Sequence, residues 1–230
     1  MKVYEIKLKV YMLKNIYAND IQSEICNLID SCLAKDLKWL KFHNENKFKD
    51  YCFDAMYPLE KDKIYKQGNI YTLTIRTINE EFASYFNNYL QNEYNDTMKG
   101  LTSQVRIIPK KIIEKIYSLT PVILKDDKGY WKNHLTLNDF EKALKSNLIK
   151  KYNAINNTKI DEDFEIYTAI EFKNKKPIAI NYKNIKLLGD KISLNISDDK
   201  MSQNLAYMSL GTGLMCNCSR GAGFMNFRYL

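Results

Sequence analysis

This chain of 230 residues is short of the residues that break or staple a backbone: 8 glycines, 4 prolines and 5 cysteines. No stretch is rich in Pro, Gly and Ser together, so no flexible linker is expected. The cysteines stand at 26, 32, 52, 216 and 218; their odd number, with Cys26 and Cys32 inside one predicted helix, does not suggest a disulfide framework. Cys216-x-Cys218 has no second ligand pair beside it and does not suggest a zinc site. No carboxylate cluster of two-metal type can be placed at the His43 segment, where Glu45 stands alone, and neither metal nor cofactor is expected. No apolar run approaches the roughly 20 residues that span a bilayer, and Met1-Lys2-Val3-Tyr4-Glu5 opens without an apolar signal core. These absences lead us to expect a reduced, cytoplasmic protein with no membrane partner. Histidine is scarcest of all: His43 and His134 are the only two.

What is present is apolar, aromatic and basic. Hydrophobic residues make up 45%, enough for real cores, and the length allows one large domain or two of about 115 residues. The net charge of +8 and pI near 9.0 favour a polyanionic partner, nucleic acid first and an acidic membrane surface second. A solvated lysine-rich surface accounts for the same excess. The 17 tyrosines and 10 phenylalanines offer stacking surfaces, although most should be core or strand residues.

Periodicity gives an order of elements. Tyr4, Ile6, Leu8, Val10 and Met12 alternate with polar residues and predict a half-buried strand. Asn19 and Asp20 can cap a helix whose apolar stripe is Ile21, Ile25, Leu28, Ile29, Cys32 and Leu33. A lysine-rich connection, 35–50, holds Trp39 and His43. Strands are expected over 51–56 and 70–78, with a turn at Gln67-Gly68-Asn69. Asn79 caps a second helix, and a strand over 102–108 ends at Pro109. The sequence strand, helix, strand, strand, helix, strand is the ferredoxin-like pattern, with one sheet face covered by helices and the other left for a partner. The second half repeats it with decoration: a strand over 112–119, a helix over 138–152, a polar loop over 153–163, strands over 164–172 and 177–182, and a hairpin or long strand over 185–196. A short helix begins at Asp198-Asp199, and a strand over 224–229 closes the sheet. The expectation is an α+β fold of two tandem ferredoxin-like (βαββαβ) halves with antiparallel sheets, 1–110 and 111–230, packed rigidly.

Half of the glycines fall in one stretch, from Gly211 to Phe224, as the pairs Gly211/Gly213 and Gly221/Gly223. Such a segment either makes a wide turn or exposes successive N–H groups to phosphate oxygens. It is not a Walker loop, because no Gly-Lys-Ser/Thr follows, and the chain after it is too short for a dinucleotide-binding helix.

Three stretches, in this order, resemble the sixth Cas family, the CRISPR-associated endoribonucleases that cut precursor CRISPR RNA within its repeats. Phe42 to Phe53 looks like the family's histidine segment leading into the second strand. Ser118-Leu119-Thr120-Pro121-Val122-Ile123 is similar to the Leu-Ser-Pro opening of its second half, and Gly211 to Phe224 to its glycine-rich loop. The resemblance implies metal-independent cleavage by 2′-OH attack, leaving 5′-OH and 2′,3′-cyclic phosphate ends, with the product RNA retained. CRISPR repeat RNA is the implied partner, with other CRISPR-associated subunits beside it, and the protein either a monomer or a homodimer.

The resemblance assigns roles that residue types alone leave open. A lone loop histidine is usually incidental; the family pattern makes His43 the acid–base group and His134 a turn residue. Lys49, six residues on, matches the family's catalytic lysine and would hold the 2′-OH or stabilise the phosphorane. Lys47 is its rival and an RNA contact. Arg220 and the backbone of Gly211, Gly213, Gly221 and Gly223 would hold the RNA. Lys110 and Lys111 would guide it, or are simply solvated, and Tyr17 and Trp39 are stacking or core residues. Two features depart from the family pattern. The first helix reads Cys26-Asn27-Leu28-Ile29 where many members carry a tyrosine, and the glycine-rich stretch has Arg220 as its sole charge. These departures keep a second reading open, a non-catalytic CRISPR RNA-binding subunit on the same fold.

Overall fold

The computed structural model describes residues 1–182 and 185–230. Its elements are β1 (Val3–Met12), β2 (Ile16–Tyr17), α1 (Ile21–Leu33), α2 (Leu37–Asn44), β3 (Tyr51–Phe53), β4 (Ile64–Tyr65), β5 (Ile70–Thr77), α3 (Glu80–Tyr89) and β6 (Met98–Ile108). The second half adds β7 (Ile113–Ser118), α4 (Leu137–Asn156), β8 (Tyr167–Phe172), β9 (Ile178–Tyr182), β10 (Ile185–Gly189), β11 (Ile192–Ile196), α5 (Lys200–Thr212) and β12 (Met225–Tyr229). The first sheet runs β3-β5-β1-β6 and the second β12-β7-β11-β8. Every pairing within them is antiparallel. In each half the first and third strands are central and a helix follows both, so the chain is two ferredoxin-like units in tandem.

The apolar face of β1 is buried against α1 and α3, with Ile6, Leu8 and Val10 at 0% exposure in one core. A second core gathers Phe140, Leu144 and Leu148 of α4 with Leu205, Ala206 and Met208 of α5. Helix α1 starts after Asp20 with no side-chain cap bond, whereas the starts of α3, α4 and α5 carry one. Asn79 accepts from Phe82 N, Asp199 from Met201 N and Ser202 N, and Thr136 with Asp139 forms a full capping box.

Four expectations are revised. The connection over 35–50 contains α2, started by Asp36, whose side chain accepts from Lys38 N and Trp39 N. The last strand of the first half begins at Met98 rather than 102. Gly100 lies within it because a Cβ there would meet Leu90 O at 1.9 Å. Helix α4 continues to Asn156, ending on Asn157 in the left-handed region, and so takes the start of the polar loop. The chain over 185–196 is two strands in different sheets, β10 pairing with β9 and β11 with β7 and β8. Asp190 lies at the break. Its buried carboxylate accepts from Tyr130 Oη, Trp131 Nε1, Lys132 Nζ and Asn174 Nδ2 at 2.8–3.0 Å, which holds the chain where it changes sheets.

The face of the first sheet opposite its helices is not left wholly open. Lys7 and Lys9 are exposed, but α5 packs on β1, β3 and β5 at the other end. Gly211, inside α5, allows the approach: a Cβ there would sit 2.7 Å from Ile78 Cγ2 and 3.3 Å from Val3 Cγ1. Tyr207 Oη donates to Ile108 O at 2.6 Å and accepts from Val3 N. Beside this contact Glu5, 1% exposed, lies between two guanidiniums. Arg76 donates to its Oε2 and Arg106 to its Oε1. Arg76 also donates to Met225 O of β12 and lies 4.6 Å from the Phe224 ring, so one buried cation ties the halves together.

Burial would raise the Glu5 carboxyl, but Arg76 and Arg106 outweigh it and hold it below its ordinary 4.5. A depressed folded-state value contributes stability at neutral pH that is lost as pH falls through it. Glu5→Gln should therefore cost about 3 kcal/mol at pH 7, because a buried guanidinium loses its counter-charge. Its melting temperature should fall less between pH 5 and 3 than that of the wild type. Thermal unfolding at several pH values checks both, and parallel pH curves for the two proteins would refute the assignment.

Candidate nucleic-acid interface and active site

Two segments some 170 residues apart in sequence, 43–50 and 215–220, line one groove of about 1150 Å³. Lys125, Lys151, Ile185 and Leu187 also contribute to its wall. Lys47, Lys125 and Arg220 are exposed there, so the groove is lined by cations from both halves.

His43 is not in a loop; it is the penultimate residue of α2. That helix is seated by Trp39, 5% exposed, whose ring meets Phe82 of α3 at 4.7 Å and Tyr85 at 5.6 Å. One turn after Trp39, His43 Nδ1 comes within 3.4 Å of Asp30 Oδ1 on α1. Asp36 followed by apolar Trp39, Leu40 and Phe42 was the sequence signal for α2, obscured by its lysines. Asp30 gave no signal, because it is an ordinary polar position on α1.

Lys49 is placed differently from expectation. Its Nζ donates to the carbonyls of Phe42, His43 and Glu45, all at the C-terminal end of α2. Helix ends leave such carbonyls without partners, and here a lysine ammonium takes them. Burial first, and Lys47 next, lower its pKa. As placed, Lys49 lines the groove with its ammonium engaged by the backbone on which His43 stands. Lys47 is exposed, paired with Glu45 at 2.5 Å and 5.1 Å from the Phe42 ring centre. Asp50, which burial raises above its ordinary value, also lines the groove.

The glycine-rich stretch is not one open loop. Gly211 and Thr212 end α5, and Gly213, Gly221 and Gly223 are buried. Gly213 N donates to Ser209 O, Gly221 N to Cys218 O and Gly223 N to Pro121 O. The glycine amides are thus spent inside the protein, and the expected amide cradle is replaced by a tight turn. Positive φ at Gly213, Gly221 and Gly223 (71°, 86° and 60°) and close approaches explain the residue type. What the turn presents to the groove is Cys216, Asn217, Ser219 and Arg220. Lys151 of α4, 3% exposed, holds it from beneath by donating to Gly213 O at 3.0 Å and lying 3.5 Å from Cys218 Sγ.

The remaining candidates are outside the groove. His134 Nε2 lies 3.0 Å from Asp126 Oδ2. Lys110 donates to Asn204 Oδ1 and Lys111 stands 5.9 Å from the Tyr229 ring centre. Trp39 is core, and Tyr17 is 65% exposed. Among the described residues, no three His, Cys, Asp or Glu side chains converge as metal ligands, and no helix is long and apolar enough to cross a membrane.

The model of the C-terminal region of CRISPR associated protein Cas6 matches residues 104–227, just over half of the chain. The chain belongs to the Cas6 family. It is 28% identical over 134 residues to the CRISPR-associated endoribonuclease Cas6 2 of Methanocaldococcus jannaschii; the match covers 54% of each chain. The chain thus spans about half the length of that curated relative. Among solved structures, a CRISPR associated protein Cas6 superposes with a TM-score of 0.72 at 22% identity, covering 98% of this chain and 99% of that one. A RAMP protein binding different RNA substrates does so with a TM-score of 0.75 at 15% identity, with the same coverage.

The turn geometry yields a prediction. A Cβ on Gly223 would lie 2.1 Å from Leu214 O, with φ already at 60°. Gly223→Ala should destabilise the protein by about 1–3 kcal/mol without any RNA present. Chemical denaturation measures this; unchanged stability with lost RNA affinity would instead restore a direct role for the glycine backbone in binding.

Proposed function

We propose that this Cas6 protein cleaves precursor CRISPR RNA within its repeats, with the scissile phosphate lying in the groove between His43 and the Cys216–Arg220 turn. The observation that carries this reading is the convergence of the His43 segment and the glycine turn on one basic groove, supported by family membership and by the endoribonuclease relative. Phosphate contacts position RNA, and the exposed Lys47, Lys125 and Arg220 suit them.

The proposed chemistry needs no nucleophile other than the RNA. His43 takes the 2′-OH proton, the 2′-oxygen attacks phosphorus, and the bond to the 5′-oxygen breaks. The leaving oxygen receives a proton from solvent in the open groove. The products are a 2′,3′-cyclic phosphate and a 5′-OH, and no metal-activated water is required. Lys49 supports the reaction by fixing the end of α2, and the cationic groove retains the product.

The second reading, a non-catalytic CRISPR RNA-binding subunit, is favoured by one observation: the Lys49 ammonium is already occupied by three carbonyls. Labelled repeat RNA separates the two. Cleavage should persist in EDTA, and His43→Ala should slow it by roughly 10²–10⁴ while leaving affinity nearly intact. Lys49→Ala should lower both the cleavage rate and the melting temperature; normal stability with a large rate loss would return Lys49 to the reacting phosphate. Binding without cleavage by the wild type selects the second reading, and a 5′-phosphate product would sink the 2′-OH mechanism. Affinity should also fall steeply with salt, as counterions are released from the phosphates; a flat response measured by filter binding would argue against RNA as the ligand.

A further inference from the structure

Beneath His43 lies a cluster that the proposed chemistry has not yet used. Asp30 stands on α1 three residues before its end, with its Oδ1 3.4 Å from His43 Nδ1. The side chains are 39% and 36% exposed, so neither is in the core, and His43 lines the groove. Behind them is Tyr51, the first residue of β3, 2% exposed. Its buried hydroxyl feels the charges of Asp30 and Arg220 and is within hydrogen-bond reach of Ser219. Cys26, one turn before Asp30 on α1, directs its thiol to Ser219 O at 4.0 Å. Elements from both halves therefore converge at the place where α1 meets α2: Cys26 and Asp30 from α1, His43 from α2, Tyr51 from β3, and Ser219 and Arg220 from the glycine turn.

We infer that Asp30 is the positioning residue of this site, holding the proton of His43 on Nδ1 so that Nε2 is left bare as the base. This inference rests on the endoribonuclease reading. A neutral imidazole carries one N–H, and the partner of one nitrogen decides which nitrogen holds it. A carboxylate facing Nδ1 accepts from Nδ1–H and disfavours the tautomer in which two lone pairs oppose each other. The opposite nitrogen, Nε2, then has a free lone pair on a ring that lines the groove. Once His43 has taken a proton from the 2′-OH, both nitrogens carry hydrogen, and the Asp30 charge stabilises the resulting imidazolium. The separation of 3.4 Å is longer than a tight charge-assisted bond; such contacts shorten when substrate closes the site.

The distinguishing readout is the protonation site of His43 rather than activity alone. The protein has only two histidines, so ¹⁵N-detected imidazole spectra of the full chain resolve into His43 and His134, with His134→Ala assigning them. In the wild type at a pH where the ring is neutral, His43 should be protonated on Nδ1. Asp30→Ala should move the proton toward Nε2, leave the His134 signals in place as a fold control, and slow single-turnover cleavage of repeat RNA about 10–100-fold, with RNA affinity within about twofold. Asp30→Glu should recover most of both the tautomer and the rate. A wild-type His43 protonated on Nε2, or an Asp30→Ala protein that cleaves at the full rate, overturns the inference. So does a slowed Asp30→Ala protein whose His43 tautomer is unchanged, since the loss then arises elsewhere. If the tautomer responds as expected but the wild type never cleaves RNA, the pairing stands and the endoribonuclease reading falls.

Discussion

A guanidinium buried between two sheets has to be neutralised on every side, and Arg76 is neutralised by groups from both halves of the chain. Glu5 supplies the counter-charge from the first sheet, Met225 a carbonyl from the second, and Phe224 and Phe227 lie against the guanidinium. Such a contact is intolerant of small displacements, because removing any partner leaves a charge in an apolar setting. It therefore links one half to the other in a specific geometry, beside the apolar packing of α5 on the first sheet. The groove depends on that fixing, since one wall comes from 43–50 and the other from 215–220.

Close backbone approach does the rest. Gly211 lets α5 lie on the first sheet, and Gly213, Gly221 and Gly223 let the turn after α5 fold back on Leu214, Cys218 and α1. The turn contributes to the groove by where it places Ser219 and Arg220, not by offering glycine amides. Lys151 and Lys49 act in parallel ways on the two walls. Each spends its ammonium on backbone carbonyls, Lys151 at Gly213 and Lys49 at the end of α2. In a basic protein, these two ammonium groups bind backbone, while Lys47, Lys125 and Arg220 are the exposed cations of the groove.

The arrangement couples shape to chemistry. Trp39 seats α2 on α3, which sets the azimuth of the residue one turn later, and that residue is His43. Lys49 then stops the helix end from fraying. Asp30 meets the imidazole because α1 packs on α2. A change at Trp39 or Lys49 would disturb the histidine without touching it, which is why stability and rate need to be measured together.

The order of strands and helices was legible from local pattern. Alternation in β1, the stripe of α1, the caps at Asn79 and Asp199, and the apolar runs of β5 and β12 are each written within about ten residues, and period decides element type. The histidine segment and the glycine stretch were legible as motifs for the same reason. Tertiary structure alone decided what those motifs present. Whether a glycine amide is free depends on a carbonyl such as Pro121 O, a hundred residues away. Whether Lys49 faces RNA or a helix end depends on the existence of α2, which its own lysines concealed. The meeting of Asp30 with His43, and of Arg76 with Met225, depends on how elements pack. Contacts of that kind follow from the three-dimensional path of the chain, and local periodicity carries no record of them.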